Sequence, residues 1–79
     1  MTNIEKYNAA FVEVFGVAEE TLNESFSKDN VDGWDSVHQL NIISILEESF
    51  DVMFEPEEIM EFTSYGEGCV ILRKYGIEF

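Results

Sequence analysis

Gly33-Trp34-Asp35-Ser36-Val37 divides the chain. Upstream lies a polar, turn-rich stretch; downstream runs the longest apolar-periodic segment, Val37 to Phe50. Val37, Leu40, Ile42 or Ile43, Leu46 and Phe50 recur at helical spacing, which predicts a helix from about Asp35-Ser36 to Phe50. Ile42, Ile43, Ile45 and Leu46 crowd more than one face, so this helix is expected to be central, packed on several neighbours. His38, Gln39, Asn41, Glu47 and Glu48 mark its wet side. A serine at such a boundary has two readings. Ser36 can cap the helix, accepting an orphan backbone N–H through its side chain. Alternatively, its hydroxyl can carry a covalent group, because a helix N-terminus tolerates an attached phosphate.

Working outward, Ile4, Tyr7, Phe11, Val14 and Phe15 share one helical face, which predicts a first helix from Asn3 to Phe15. Thr2 or Asn3 can cap it, and Gly16 ends it by adopting the left-handed conformation. Residues 17–35 then form a long connection rich in Asn, Asp, Ser and Gly, with a helical turn expected around Ala18 to Leu22. A loop this long is expected to be functional or pinned, and Val17, Leu22, Phe26, Val31 and Trp34 are its expected anchors.

Beyond Phe50, Asp51 to Phe54 forms a short apolar linker that should tuck Val52 or Phe54 inward. Pro56 opens a short third helix, with Glu57 and Glu58 in its dipole-complementing first turn and Ile59, Met60 and Phe62 on its buried side. Thr63 or Ser64 caps a fourth helix whose inner face carries Tyr65, Cys69, Val70 or Ile71, Leu72 and Tyr75. Gly66 and Gly68 are expected to weaken it by up to about 1 kcal/mol each relative to alanine. The fold expected is all-α, in one domain over residues 1–79. It has three main helices, one short third helix, and a long loop between helices one and two.

Charge narrows the function. Seventeen Asp and Glu against four Lys and Arg give a formal net charge of −13. Such a surface repels nucleic acid and anionic lipid, and it favours basic protein partners or simply keeps the chain soluble. The single cysteine, Cys69, permits no internal disulfide and fits a reducing, cytoplasmic setting. No signal peptide is evident and no apolar run suits a membrane span. A monomer is expected.

Several constellations are weak. Ser36 and His38 stand two apart on a helix and do not face each other, so a nucleophile–base pair is not expected. Asp29, Asn30, Asp32 and Asp35 fail the calcium-loop pattern, because Val31 and Leu40 occupy positions that need oxygen ligands. No metal site is expected. Cys69 reads as a structural thiol, and Met53 and Met60 as core fillers.

Asp35-Ser36-Val37 resembles the Asp-Ser-Leu attachment motif of acyl carrier proteins, with Val37 replacing the leucine. The likeness extends through Trp34, His38, Leu40 and the Leu46-Glu47-Glu48-Ser49-Phe50 run of the second helix. It continues through Pro56-Glu57-Glu58, Thr63-Ser64 and Val70-Ile71, so it spans essentially the whole chain in order. The resemblance implies a carrier rather than an enzyme. A phosphopantetheinyl transferase would attach 4'-phosphopantetheine from coenzyme A to Ser36, with Asp35 as the matching motif residue. The arm's thiol would hold an acyl or aminoacyl group as a thioester, and Met53 and Met60 would suit a lining for an acyl chain. Loading and transferring enzymes with basic docking surfaces are the implied partners. Val37, His38, Asn41, Glu47, Glu48, Glu57 and Glu58 are the expected contacts. The family's fatty-acid-synthesis members carry acids where this chain has His38 and Asn41, which points to a specialised pathway. The alternative is a carrier-like helical module that stays unmodified and acts through protein contacts.

Overall fold

A computed structural model describes residues 2–79. It contains four α-helices: α1 (Asn3–Phe15), α2 (Ser36–Phe50), α3 (Pro56–Glu61) and α4 (Tyr65–Lys74). A 3-10 turn at Glu19–Thr21 interrupts the first connection. Among the described residues there is no β-strand, only an isolated antiparallel bridge between Ser27 and Ser64. The all-α expectation holds, and the helix limits agree closely with the periodicity.

Local chemistry explains the ends of α1. The Glu5 N–H donates to Thr2 Oγ1, and the Thr2 N–H donates back to Glu5 Oε1 at 2.9 Å, which satisfies two orphan donors at once. Gly16 takes φ +64° and its N–H donates to the Val12 carbonyl, closing the helix. Tyr7, Ala10 and Phe11 are buried, while Ile4, Val14 and Phe15 pack at the margin of the core.

The long connection is pinned as expected. Phe26 and Trp34 are buried, and Val17, Leu22 and Val31 pack partly against the core. Backbone bonds fasten it further: the Lys28 N–H donates to the Thr63 carbonyl and the Tyr65 N–H to the Phe26 carbonyl, both at 2.8 Å. The loop therefore threads past the α3–α4 junction before reaching α2.

Among the described residues, six of the twelve buried hydrophobic ones are aromatic, so ring geometry organises this core. Phe11 is its hub, with the rings of Tyr7, Phe26, Trp34 and Phe62 between 5.0 and 6.1 Å away. Offset and edge-to-face ring pairs add roughly 0.5–1.5 kcal/mol each beyond area burial.

Four expectations are corrected. Val37 and Leu40 are not on the inner stripe of α2; they are 62% and 60% exposed. Gln39, read as a wet-side residue, is half-buried and faces inward instead. Met53 and Met60 are not core fillers; they are 81% and 79% exposed, and Phe54 and Phe62 fill the interior beside them. Gly68 does not simply weaken α4. It is buried, and a Cβ there would overlap the Tyr7 hydroxyl and fall 2.8 Å or less from the Phe62 ring. The missing side chain lets α4 close onto α1 and the end of α3.

Candidate functional site at the N-terminus of α2

The start of α2 is built by Asp35, not Ser36. Asp35 has extended backbone angles (φ −107°, ψ −174°), and its Oδ1 accepts the His38 N–H at 2.9 Å. This corrects the capping reading of Ser36: the cap is taken by its neighbour. Ser36 becomes the first helical residue and is exposed. Its hydroxyl is therefore not needed to hold the helix together, and it stands at the positive end of the helix dipole.

The flanking residues fix this position. His38 Nδ1 lies 2.8 Å from the same Asp35 Oδ1, and since a carboxylate only accepts, Nδ1–H is the donor. The imidazole also stacks on the Phe15 ring at 5.6 Å and 20°. The His38 backbone N–H and then its ring hold the Asp35 carboxyl below the usual carboxylate range. Upstream, Trp34 is only 4% exposed, and its indole N–H donates to Gln39 Oε1. Gln39 Nε2 donates to the carbonyls of Ile59 at 2.9 Å and Phe62 at 2.8 Å. One amide side chain thus ties the residue before the cap to the far end of α3.

The remaining expected contact residues divide into two groups. Val37, Asn41, Glu48 and Glu57 are exposed. Val37, Leu40, Asn41, Ser44 and Glu48 recur at three-and-four spacing, so one wet face of α2 runs away from Ser36. Glu47 and Glu58 are instead half-buried and engaged within the chain. Glu47 Oε2 accepts the Phe54 N–H at 2.9 Å. Glu58 Oε1 accepts the Glu55 N–H at 2.8 Å and also the Tyr75 hydroxyl proton.

Leu40 and Gln39 are among the residues that sequence reading misplaced: helical spacing puts them on the observed faces, but their polarity points the other way. Gln39 lies three and seven residues before Ile42 and Leu46, on their face, whereas Leu40 lies two before Ile42, roughly 200° around the helix. A surface groove of about 330 Å³ opens beside Gln39 and is lined by Lys28, Gln39, Ile59, Met60 and Thr63.

Other chemistry finds little support in the geometry. Residues 36 and 38 are also roughly 200° apart on the helix, and the His38 Nδ1–H is engaged by Asp35. Cys69 is half-buried, and desolvation pushes its thiol above the ordinary value, which disfavours the reactive thiolate. Among the described residues, no group of three or more His, Cys, Asp and Glu is placed to hold a metal ion. No described helix is long and apolar enough to cross a membrane. No protein-family model matches the chain, and no curated protein matches it.

Proposed function

We propose that the chain is a carrier protein of the acyl carrier type, bearing 4'-phosphopantetheine on Ser36. The observation that carries this reading is the division of labour at the start of α2. Asp35 supplies the cap, so an exposed Ser36 hydroxyl is left free on a backbone fixed by Trp34, Asp35 and Gln39. The four helices, with a short third one, and the pinned first loop support this reading.

The residues present fit such a group. The first turn of a 15-residue helix presents the positive end of its dipole to a phosphodiester at Ser36. In the modification, Ser36 Oγ forms the new bond to phosphorus, the pyrophosphate bond of coenzyme A breaks, and adenosine 3',5'-bisphosphate leaves. The hydroxyl proton passes to a base on the transferase. Once attached, the arm supplies a thiol that holds an acyl or aminoacyl group as a thioester. This chain's own part is to present the site.

Val37, Leu40 and Asn41 form the exposed ground next to Ser36 for a partner enzyme, with Glu48 and Glu57 as further acidic contacts. Glu47 and Glu58 are less free for this role because each already accepts an internal hydrogen bond. His38 offers only its outer ring edge. Exposed Val37 and Leu40 would equally serve an unmodified interaction module. Incubation with coenzyme A and a broad-specificity phosphopantetheinyl transferase separates the two readings. The carrier gains one phosphopantetheinyl group on Ser36, and the module gains none.

A further inference from the structure

Asp35 Oδ1 accepts two hydrogen bonds, and both come from His38: the backbone N–H at 2.9 Å and the ring Nδ1–H at 2.8 Å. The first is the cap, and one such bond suffices to cap a helix. The second is additional. It joins two side chains that both reach solvent, where such a pair gains little stability against competing water. Stability of the helix end therefore does not account for it.

The His38 ring is nevertheless held from two sides. Its face stacks on Phe15, the last residue of α1, and Phe15 packs in turn on the rings of Phe11, Phe26 and Trp34 at 5.0 to 5.7 Å. Its edge meets Asp35. The carboxylate is held as well. Oδ1 carries two donors, while Oδ2 accepts no bond from any described residue. A planar carboxylate with one oxygen held by two donors does not rotate freely, so Oδ2 keeps a fixed direction one residue from the Ser36 hydroxyl.

We propose that His38 is a positioning residue for the attachment reaction at Ser36. Stacked on Phe15, it clamps the Asp35 carboxylate so that Oδ2 is already oriented for a cationic side chain of the transferase. A side chain ordered before encounter does not incur the ordering cost at binding. His38 acts through Asp35 and not on the hydroxyl, since residues 36 and 38 are roughly 200° apart on the helix. The clamp therefore bears on KM for this chain and leaves kcat alone. The proposal rests on Ser36 being the attachment point.

Steady-state transfer from coenzyme A to the full chain, with the chain concentration varied, tests it alongside three-bond Hα–Hβ couplings of Asp35 by NMR. His38→Ala is expected to raise KM by about three- to tenfold with kcat little changed. His38→Asn places an amide N–H where Nδ1–H stood and should restore most of the KM. Asp35→Ser keeps a good cap but has no second oxygen, and in that background His38→Ala should add nothing. The couplings should show one Asp35 rotamer in wild type and averaging in His38→Ala, whether or not Ser36 is modified. The proposal is overturned if His38→Ala leaves KM unchanged, if His38→Asn fails to restore it, or if His38→Ala raises it equally beside Asp35→Ser. Averaged couplings in wild type would overturn the clamp alone. Absence of any transfer to wild type would instead overturn the attachment reading, and this proposal with it.

Discussion

The indole N–H of Trp34 donates to the side-chain carbonyl of Gln39, and the amide of Gln39 donates in turn to the Ile59 and Phe62 carbonyls. The end of the long loop, the first turn of α2 and the far end of α3 therefore meet on one side chain. Gln39→Leu leaves a buried indole N–H and two carbonyls without this partner. An unsatisfied buried group costs about 1–3 kcal/mol. For a domain of this size that lowers Tm by roughly 4–8 °C per kcal/mol, readable by circular dichroism. A Tm unchanged in Gln39→Leu would show that the network adds nothing.

Gly68→Ala should destabilise the protein, although alanine is the better helix former by about 1 kcal/mol. The added Cβ would strike the buried Tyr7 hydroxyl and Phe62 ring, neither of which has room to move. Overpacking of this kind typically costs about 1–3 kcal/mol. Urea unfolding should place the variant below wild type, while Gly66→Ala, whose Cβ meets only Ser64 Oγ at 4.0 Å, should be neutral or stabilising. The opposite order would contradict the close approach of α4 to Tyr7 and Phe62.

Most of the fold was legible because its boundaries are set by local chemistry. Thr2, Gly16, Pro56 and Ser64 act within a few residues of themselves, and they ended or began helices where their side chains predict. Gln39 and Gly68 were misplaced because their partners are distant in sequence. Gln39 is polar, and only the Ile59 and Phe62 carbonyls, 20 or more residues on, make its burial favourable. Gly68 reads as a weak helix residue until Tyr7, on α1, is seen against it. At the site, only Ser36 is read as a cap from the sequence; the backbone angles and the His38 N–H assign that place to Asp35, an equally good cap by type.

Two of the internally bonded carboxylates, Asp35 and Glu58, make an acid-side prediction. Hydrogen bonds from His38 hold Asp35 below the ordinary range, and those from Tyr75 and then Glu55 do the same for Glu58. A folded-state pKa below the unfolded one stabilises the fold above the unfolded value of about 4. That contribution is lost as pH falls through the folded value. The difference in Tm between wild type and Asp35→Asn, or Glu58→Gln, should therefore shrink below about pH 4. The difference is the quantity to measure, because acid also relieves the self-repulsion of a chain with net charge −13. A difference that stays constant down to about pH 2 would remove the ionised carboxylates from the account.

Tyr75 sets the opposite limit on the Glu58 contact. The neighbouring Glu58 carboxylate, first as hydrogen-bond acceptor, pushes the phenol up to about 12. A raised folded value means the contribution is complete below the ordinary phenol value of about 10 and disappears as pH rises through the folded one. Ultraviolet titration should find one tyrosine ionising at ordinary alkaline pH in Glu58→Gln that resists in wild type. Identical titration curves would contradict the contact.

Recognition of this acidic surface should be led by charge. The Debye length falls from about 30 Å at 0.01 M salt to 10 Å at 0.1 M. The transferase reaction should therefore show a KM for this chain that rises with added salt while kcat changes less. Glu48→Gln and Glu57→Gln, both exposed, should blunt that dependence without lowering Tm. A salt-independent KM would remove charge from the recognition.

The central claim is that Ser36 is an attachment point and not a cap. Its most direct test is intact-mass spectrometry of the full chain after incubation with coenzyme A and a broad-specificity phosphopantetheinyl transferase. Wild type is expected to gain the mass of one phosphopantetheinyl group, mapped by fragmentation to Ser36. Ser36→Ala should fold with wild-type helicity, since Asp35 holds the cap, and should gain nothing. No mass gain in wild type, or a gain that survives in Ser36→Ala, would contradict the carrier reading.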